Sequence, residues 1–286
     1  MQGSELKVAV VGHVEWVQFA RVSHVPRAGE VVHALDPFEE PAGGGAVAAV
    51  QLARLAGGAE FFTVLGDDED GRHSRVRLTE LGVQVRARTV AEPTRRAVTL
   101  VEEGGERTIT TFGRRLDPLG AAADGDGDGH WRELQGSDAI YFTAGDIDAL
   151  RMARNAARVL VASPRARHAL GQGVRLNALV LSGEDQIELE EAARAEGEAD
   201  VVVFTEGAHG GRYRERSGVE GRWESADMPG EPADSYGCGD SFAAGLTYGL
   251  GAGLALPEAL RLAARCGAMC LTGHGPYQRQ LAAAEL

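Results

Sequence analysis

Asp234-Ser235-Tyr236-Gly237-Cys238-Gly239-Asp240-Ser241-Phe242-Ala243-Ala244-Gly245 sets two glycines and an aspartate directly before a run of small and apolar residues with helical character. Gly237 and Gly239 can take backbone angles closed to other residues, so consecutive amides can converge on one point at the positive end of the helix that follows. A phosphate group fits that point. Asp240, in the first turn, then stands close enough to take a proton from a hydroxyl attacking the phosphate. Asp240 alone would read as an ordinary acidic first turn. The paired glycines argue instead for an anion hole formed by Gly237, Cys238 and Gly239 with a carboxylate beside it.

Outward from this stretch, short runs rich in Val, Leu or Phe at residues 7–11, 61–65, 139–143, 159–162, 178–181 and 201–205 alternate with helical patterns. The helical patterns cover residues 46–56, 70–81, 147–157, 184–195, 240–250 and 257–271. Apolar runs of this length read as buried parallel strands, and their alternation with helices predicts a three-layer α/β/α sandwich around a mostly parallel sheet. Residues 14–35 and 95–112 break the pattern as strands of mixed polarity, the second folding at Gly104-Gly105 to join residues 97–101 with 107–111. They predict a small sheet outside the main layer: a lid over a ligand, a pairing edge for a second subunit, or an edge decoration.

The 286 residues, 44% hydrophobic, suffice for one main domain over 1–286. A formal net charge of −13 repels a nucleic-acid backbone, so a small ligand is the expected partner. The three cysteines lack disulfide spacing, which points to a reducing compartment, by default the cytoplasm. The first residues run straight into an apolar strand, so no secretory signal is expected. The longest uncharged run, 241–257, is broken by glycines and falls short of the roughly 20 residues a membrane span needs. Lys7 is the single lysine, and it suits neither a P-loop, nor a protein-kinase strand, nor a pyridoxal Schiff base. Any phosphate chemistry here uses backbone amides, arginine and a metal ion.

Weaker motifs have plainer readings. Residues 124–129 alternate Asp and Gly like the first half of a calcium loop, but position twelve is Gln135 and no helix precedes them, which favours an acidic surface loop. Gly43-Gly44-Gly45-Ala46-Val47-Ala48 formally satisfies the dinucleotide fingerprint, yet Phe38-Glu39-Glu40-Pro41 before it is a poor buried strand. A helix start whose bare backbone admits a substrate is the better reading. Cys266 and Cys270 share a helix face and read as core thiols, and His274 as a turn residue.

The segment from Asp234 to Gly245 resembles the C-terminal signature of the ribokinase-like (PfkB) carbohydrate kinases, Asp-Thr-x-Gly-Ala-Gly-Asp followed by Ser or Ala and Phe. Ordered matches extend along the chain: Val10-Val11-Gly12, the turn at Pro26 to Glu30, the glycine-led helix at 42–55, and Gly66-Asp67-Asp68 with Gly71. Gly105-Glu106-Arg107 is similar to the family's lid hairpin and Thr205-Glu206-Gly207 to its nucleotide-side turn. The resemblance implies the ribokinase-like fold with its β lid, and transfer of the γ-phosphoryl group of ATP to a hydroxymethyl group of a sugar or sugar-like alcohol. It implies Asp240 as base, Thr205, Gly207 and Gly210 on the nucleotide, Mg²⁺, and a monovalent cation near Asp234. Separately, the exposed edges of the lid strands suit a homodimer.

Departures bear on the acceptor. Val17 stands where ribose-type members have a sugar-gripping aspartate, which leaves Glu15 as the nearby carboxylate; against the family's Gly-Gly-Lys/Asn-x-x-Asn run this chain has Ala42 to Val47, so two polar contacts, at Gly44 and Val47, are lost, and Glu15, Gly43 and Gly44 are the residues expected at the substrate. Ribose is therefore a poor fit. The family's Asn-x-x-Glu is Ser182-Gly183-Glu184-Asp185 here, so Asp185 is the residue expected to meet magnesium through water. Alternatives are a metabolite-binding sensor of the same fold, a nucleoside kinase and, from Gly43 to Ala48 alone, an NAD-linked oxidoreductase.

Overall fold

The computed structural model describes residues 6–120 and 130–286, so the acidic repeat at 124–129 lies outside the described residues. In chain order the strands are β1 (Val8–Val11), β2 (Glu15–Arg21), β3 (Leu35–Ala42), β4 (Ala59–Gly66), β5 (Val83–Val90), β6 (Arg96–Val101) and β7 (Arg107–Phe112). They continue with β8 (Ser137–Phe142), β9 (Ala157–Ala162), β10 (Leu176–Ser182), β11 (Ala199–Thr205), β12 (Gly211–Glu215) and β13 (Glu220–Trp223). The α-helices among the described residues are α1 (Gly44–Ala56), α2 (Glu69–Glu80), α3 (Ile147–Ala156), α4 (Gln186–Ala195), α5 (Cys238–Gly251) and α6 (Leu256–Leu271).

The central sheet runs β13-β12-β11-β10-β9-β8-β1-β4-β5, parallel except for β12 and β13, which pair antiparallel at one edge. Burial on both faces explains why its inner strands are almost wholly apolar. Val8 and Val10 of β1 join the core under α1, α5 and α6, whereas Ala9 and Val11 face the core that holds Leu150 of α3 and Ala192 of α4. Helices on both faces make the three layers the alternation predicts. Gly245 lets α5 and α6 approach closely, since a Cβ there would stand 2.7 Å from Cys266 Sγ. Both Cys266 and Cys270 are buried core thiols. No described helix is long and apolar enough to cross a membrane.

A second sheet, β3-β2-β6-β7, stands beside the first. The hairpin of β6 and β7 turns at Gly104-Gly105, as expected, with both glycines at positive φ. The segment 14–35 is corrected: only Glu15–Arg21 is strand, because Pro26 and a turn closed by Glu30 N on Arg27 O interrupt it. The fourth strand is instead β3, whose Pro37, Glu39, Glu40 and Pro41 suit the edge of a small sheet and not a buried layer. The helix after Gly43 thus follows an edge strand of the small sheet, and the dinucleotide fingerprint lacks the buried strand it needs.

Chain order reverses in the central sheet between β1 and β8, where the path leads first to β4 and β5 and then returns to the other side. Open α/β sheets bind ligands beyond the carboxyl ends of strands at such a reversal. Gly12-His13 after β1, Thr143 after β8, the Ser163 to Arg167 turn after β9 and Asp185 after β10 all stand at that end. The small sheet adds Glu15, Arg95 and Arg107 to the same place.

Candidate active site

α5 starts on a glycine with no side-chain cap: Gly237 is left-handed, at φ 84°, and its N-cap position offers the first turn no oxygen. Cys238 N makes a long bond of 3.4 Å to Ser235 O, while the amides of Gly239 and Asp240 find no acceptor among the described residues. Open space lies over Gly239, where an added Cβ would meet nothing within 4 Å. These unpartnered donors at a helix N-terminus suit an oxyanion. Asp240 stands in the same turn, only 7% exposed, with its carboxylate turned to the cleft.

The loop leading into α5 is held from three sides. Asp234 accepts from Tyr236 N at 2.8 Å with Oδ1 and from Gly275 N at 3.0 Å with Oδ2. Burial is the main influence on this carboxyl and pushes it above the usual range despite those amides. Each of its oxygens thus takes one amide and helps pin the loop. Tyr236 accepts from Gly43 N at 3.1 Å through its hydroxyl, tying the loop to the start of α1. Ser235 receives Arg107 Nη1 at 2.8 Å and donates its own amide to Gly105 O at 3.0 Å, so the hairpin of the small sheet rests on the loop.

A cleft of about 310 Å³ opens between the two sheets, and Glu15, Gly43, Gly44, Asp185, Gly237 and Asp240 all line it. Residues more than two hundred positions apart in sequence, Glu15 and Asp240 among them, thereby meet at one cavity. Thr205, Gly207 and Gly210 do not line it: they form the end of β11 and the short turn before β12, with Thr205 Oγ1 bonded to Leu181 O at 3.2 Å. Val17 is fully buried in the core and offers the cleft nothing.

Glu15 opens β2 with a side chain only 8% exposed, 3.5 Å from His13 Nε2 and 3.1 Å from Arg95 Nη1. Burial alone would push its carboxyl up, but the His13 hydrogen bond and the field of His13, Arg95 and Arg115 together hold it below its ordinary value of 4.5. A carboxylate favoured in the folded state contributes stability above its unfolded pKa and loses it as the pH falls through the lower folded value. The stability advantage of wild type over Glu15→Gln should therefore be full at neutral pH, begin to shrink as the pH falls below about 4.5, and be gone once it has passed the lower folded value. Melting curves of both proteins from neutral to strongly acidic pH check this. A gap independent of pH would contradict the pairing.

Asp185 caps α4, its Oδ1 accepting from Ile187 N at 2.9 Å and Glu188 N at 3.1 Å. Its Oδ2 makes no hydrogen bond among the described residues. No group of three or more His, Cys, Asp or Glu side chains converges as a metal shell among those residues. Magnesium keeps several waters and commonly takes its remaining ligands from substrate phosphates, so Asp185 at the cleft wall fits an outer, water-mediated contact.

The sequence reading missed Arg165 and Glu188. Arg165 Nη1 donates to Asp240 Oδ1 at 2.6 Å and its Nε to Glu188 Oε1 at 3.2 Å, while Glu188 Oε2 accepts from Ser182 N at 2.8 Å. The Asp240 carboxylate beside it drives the Arg165 guanidinium still further from deprotonation. Glu188 carried a signal, since Asp185-x-x-Glu188 has the spacing of a helix capping box. Arg165 carried none.

The family model described as pfkB family carbohydrate kinase matches residues 5–169 and 176–282. Fructokinase of Klebsiella pneumoniae is 28% identical over 298 aligned positions, covering 84% of this chain and 90% of that protein. Acarbose 7(IV)-phosphotransferase of Actinoplanes sp. is 43% identical over 77 residues, which span 27% of this chain and 26% of that protein. The structure of Arabidopsis thaliana ribokinase complexed with ribose and ATP superposes with a TM-score of 0.75 at 18% identity, covering 99% of this chain and 97% of that one. At that identity the likeness is one of fold. Because the family model spans nearly all of the sequence, from the first strand to the residues beyond α6, this chain belongs to the pfkB family of carbohydrate kinases.

Proposed function

We propose that this protein transfers the γ-phosphoryl group of ATP to a hydroxymethyl group of a sugar or sugar-like alcohol, with Asp240 as the base. The observation that carries this is the union, in one helix turn, of a buried cleft-facing carboxylate with the unpartnered amides of Gly239 and Asp240. An aspartate has a reference pKa of about 3.9 and cannot strip an alcohol in advance. It orients the hydroxyl and takes the proton late, as charge moves onto the transferring group, where the amides of the α5 N-terminus receive it. Mg²⁺ bound with the nucleotide would neutralise phosphate charge, with Asp185 holding it through water. Thr205, Gly207 and Gly210 lie on the nucleotide side in this reading. The β6–β7 hairpin, resting on the Ser235 loop, serves as the lid that excludes water, and the lid-sheet edges are where a homodimer would form.

The acceptor side favours something other than ribose. Glu15 is clamped between His13 and Arg95, and Gly43 and Gly44 leave a bare backbone floor. Relatives include a fructokinase, a ribokinase and an acarbose phosphotransferase, so the panel should hold fructose, ribose, a nucleoside and an oligosaccharide with a free hydroxymethyl group. With ATP and Mg²⁺, ADP release is expected with at least one of these and least with ribose. Tight sugar binding with no ADP release from any of them would replace this reading with that of a sensor.

A further inference from the structure

Neutralising a phosphoryl group with lysine is closed to this chain. The ammonium of Lys7 donates to the carbonyls of Glu133 and Gln135 below β1, at the end of the sheet away from the cleft. Arg165 has the opposite placement. Its side chain lines the cleft and keeps 37% exposure, and Nη2 makes no hydrogen bond among the described residues. Its backbone is anchored by Arg115 Nη1 on its carbonyl at 3.1 Å, and Glu188, itself fixed to the end of β10, holds Nε. Gly44 is bare where it faces the pair: a Cβ there would stand 2.8 Å from Arg165 Nη1 and 2.9 Å from Asp240 Oδ1.

Distances decide what this guanidinium can reach. A hydroxyl hydrogen-bonded to Asp240 has its oxygen about 2.7 Å from the carboxylate, and the phosphorus it attacks lies about 3–3.5 Å further on. Nη1, already 2.6 Å from the same carboxylate oxygen, needs only a side-chain rotation to meet the oxygens of that phosphorus. A planar fork of fixed donors matches them better than a point charge does.

We propose that Arg165 is a second catalytic residue: as the acceptor hydroxyl takes over Asp240, the guanidinium donates to the phosphoryl group in flight, with Glu188 holding its other edge. The inference rests on the phosphotransfer reading above. The bond from phosphorus to the bridging oxygen of ATP breaks and its electron pair leaves with ADP. The bond from the acceptor oxygen to phosphorus forms and the hydroxyl proton passes to Asp240. Arg165 stays protonated and contributes hydrogen bonds alone.

The test compares wild type with Arg165→Ala, Arg165→Lys and Glu188→Gln. Two rates are read: transfer to the best acceptor of the panel, and ATP hydrolysis without sugar, which does not depend on the acceptor's identity. Arg165→Ala should lose roughly a hundredfold in kcat on both, with KM for ATP changed by less than about threefold. Arg165→Lys should recover only a small part of the loss. Guanidinium chloride, at concentrations that leave the melting temperature unchanged, should raise the Arg165→Ala rate about tenfold and leave wild type unaffected, since it returns one free donor group to the space vacated. A folded Arg165→Ala enzyme with wild-type kcat overturns the proposal. So does a loss that guanidinium does not relieve, because Arg165 would then only hold Asp240 in place. Should Arg165→Ala fail to fold, unchanged kcat in Glu188→Gln overturns it. Wild type that neither transfers nor hydrolyses overturns the phosphotransfer reading itself and Arg165's role with it.

Discussion

Asp240→Asn should lower turnover by more than roughly two orders of magnitude while ATP still binds. Asparagine keeps the size of the side chain and one oxygen, so the α5 turn and its free amides should persist. It cannot accept the hydroxyl's proton, and the proton would have to leave to water that the cleft is built to limit. The substitution also replaces a charged bond to Arg165 at 2.6 Å with a neutral one. Steady-state turnover with calorimetric titration of ATP separates the two effects. Near wild-type turnover would remove Asp240 from the chemistry, whereas loss of ATP binding would mean that the carboxylate organises the turn instead.

Adjacent glycines at the start of α1 should respond to alanine in opposite ways. At Gly45 an added Cβ would stand 2.6 Å from His13 O and 2.9 Å from both Gly12 C and His13 N, all main-chain atoms of the segment leaving β1. Backbone cannot move aside without disturbing the strand, so Gly45→Ala should cost about 3 kcal/mol or more. A fall in melting temperature on the order of 5–10 °C is expected for a chain of this size. At Gly44 the neighbours are the tips of the Arg165 and Asp240 side chains. Those tips can shift, so Gly44→Ala should keep near wild-type stability yet lose at least about tenfold in turnover, because small misplacements of reacting groups are costly. Equal melting losses for the two variants would show that the Arg165 and Asp240 tips are as unyielding as the backbone.

The inner strands and all six described α-helices were legible because their apolar spacing is local and strong. β5, β12 and β13 were not. The alternation of Val83-Gln84-Val85-Arg86 and the charges in Glu220 to Arg222 belong to the two edge strands, and those in Arg212 to Glu215 to β12 beside one of them, where polar side chains face water and the hydrophobic signal fades. β3 was disguised by its prolines for the same reason. At the site, Asp240 and the glycines stood out because helix starts and positive-φ turns demand particular residues nearby in sequence. Glu188 was half visible as a capping partner. Arg165, His13, Arg95 and Arg115 left no trace, since an arginine in a loop looks the same whether it meets solvent or a carboxylate.

By itself the sequence determined the layered α/β architecture, the helix start that bares its amides, and the aspartate within it, because each depends on residues within a few positions of one another. Tertiary structure alone decided which charges face that aspartate. Arg165 meets Asp240 across 75 positions of chain, and Glu188 meets Arg165 across 23, only because the ends of β9 and β10 and the starts of α4 and α5 come to one cleft, and Glu15 becomes a clamped anion only where β2 brings it against His13 and Arg95. Local propensity specifies a turn, but a pair of opposite charges acquires its partner only when the sheet has closed around both.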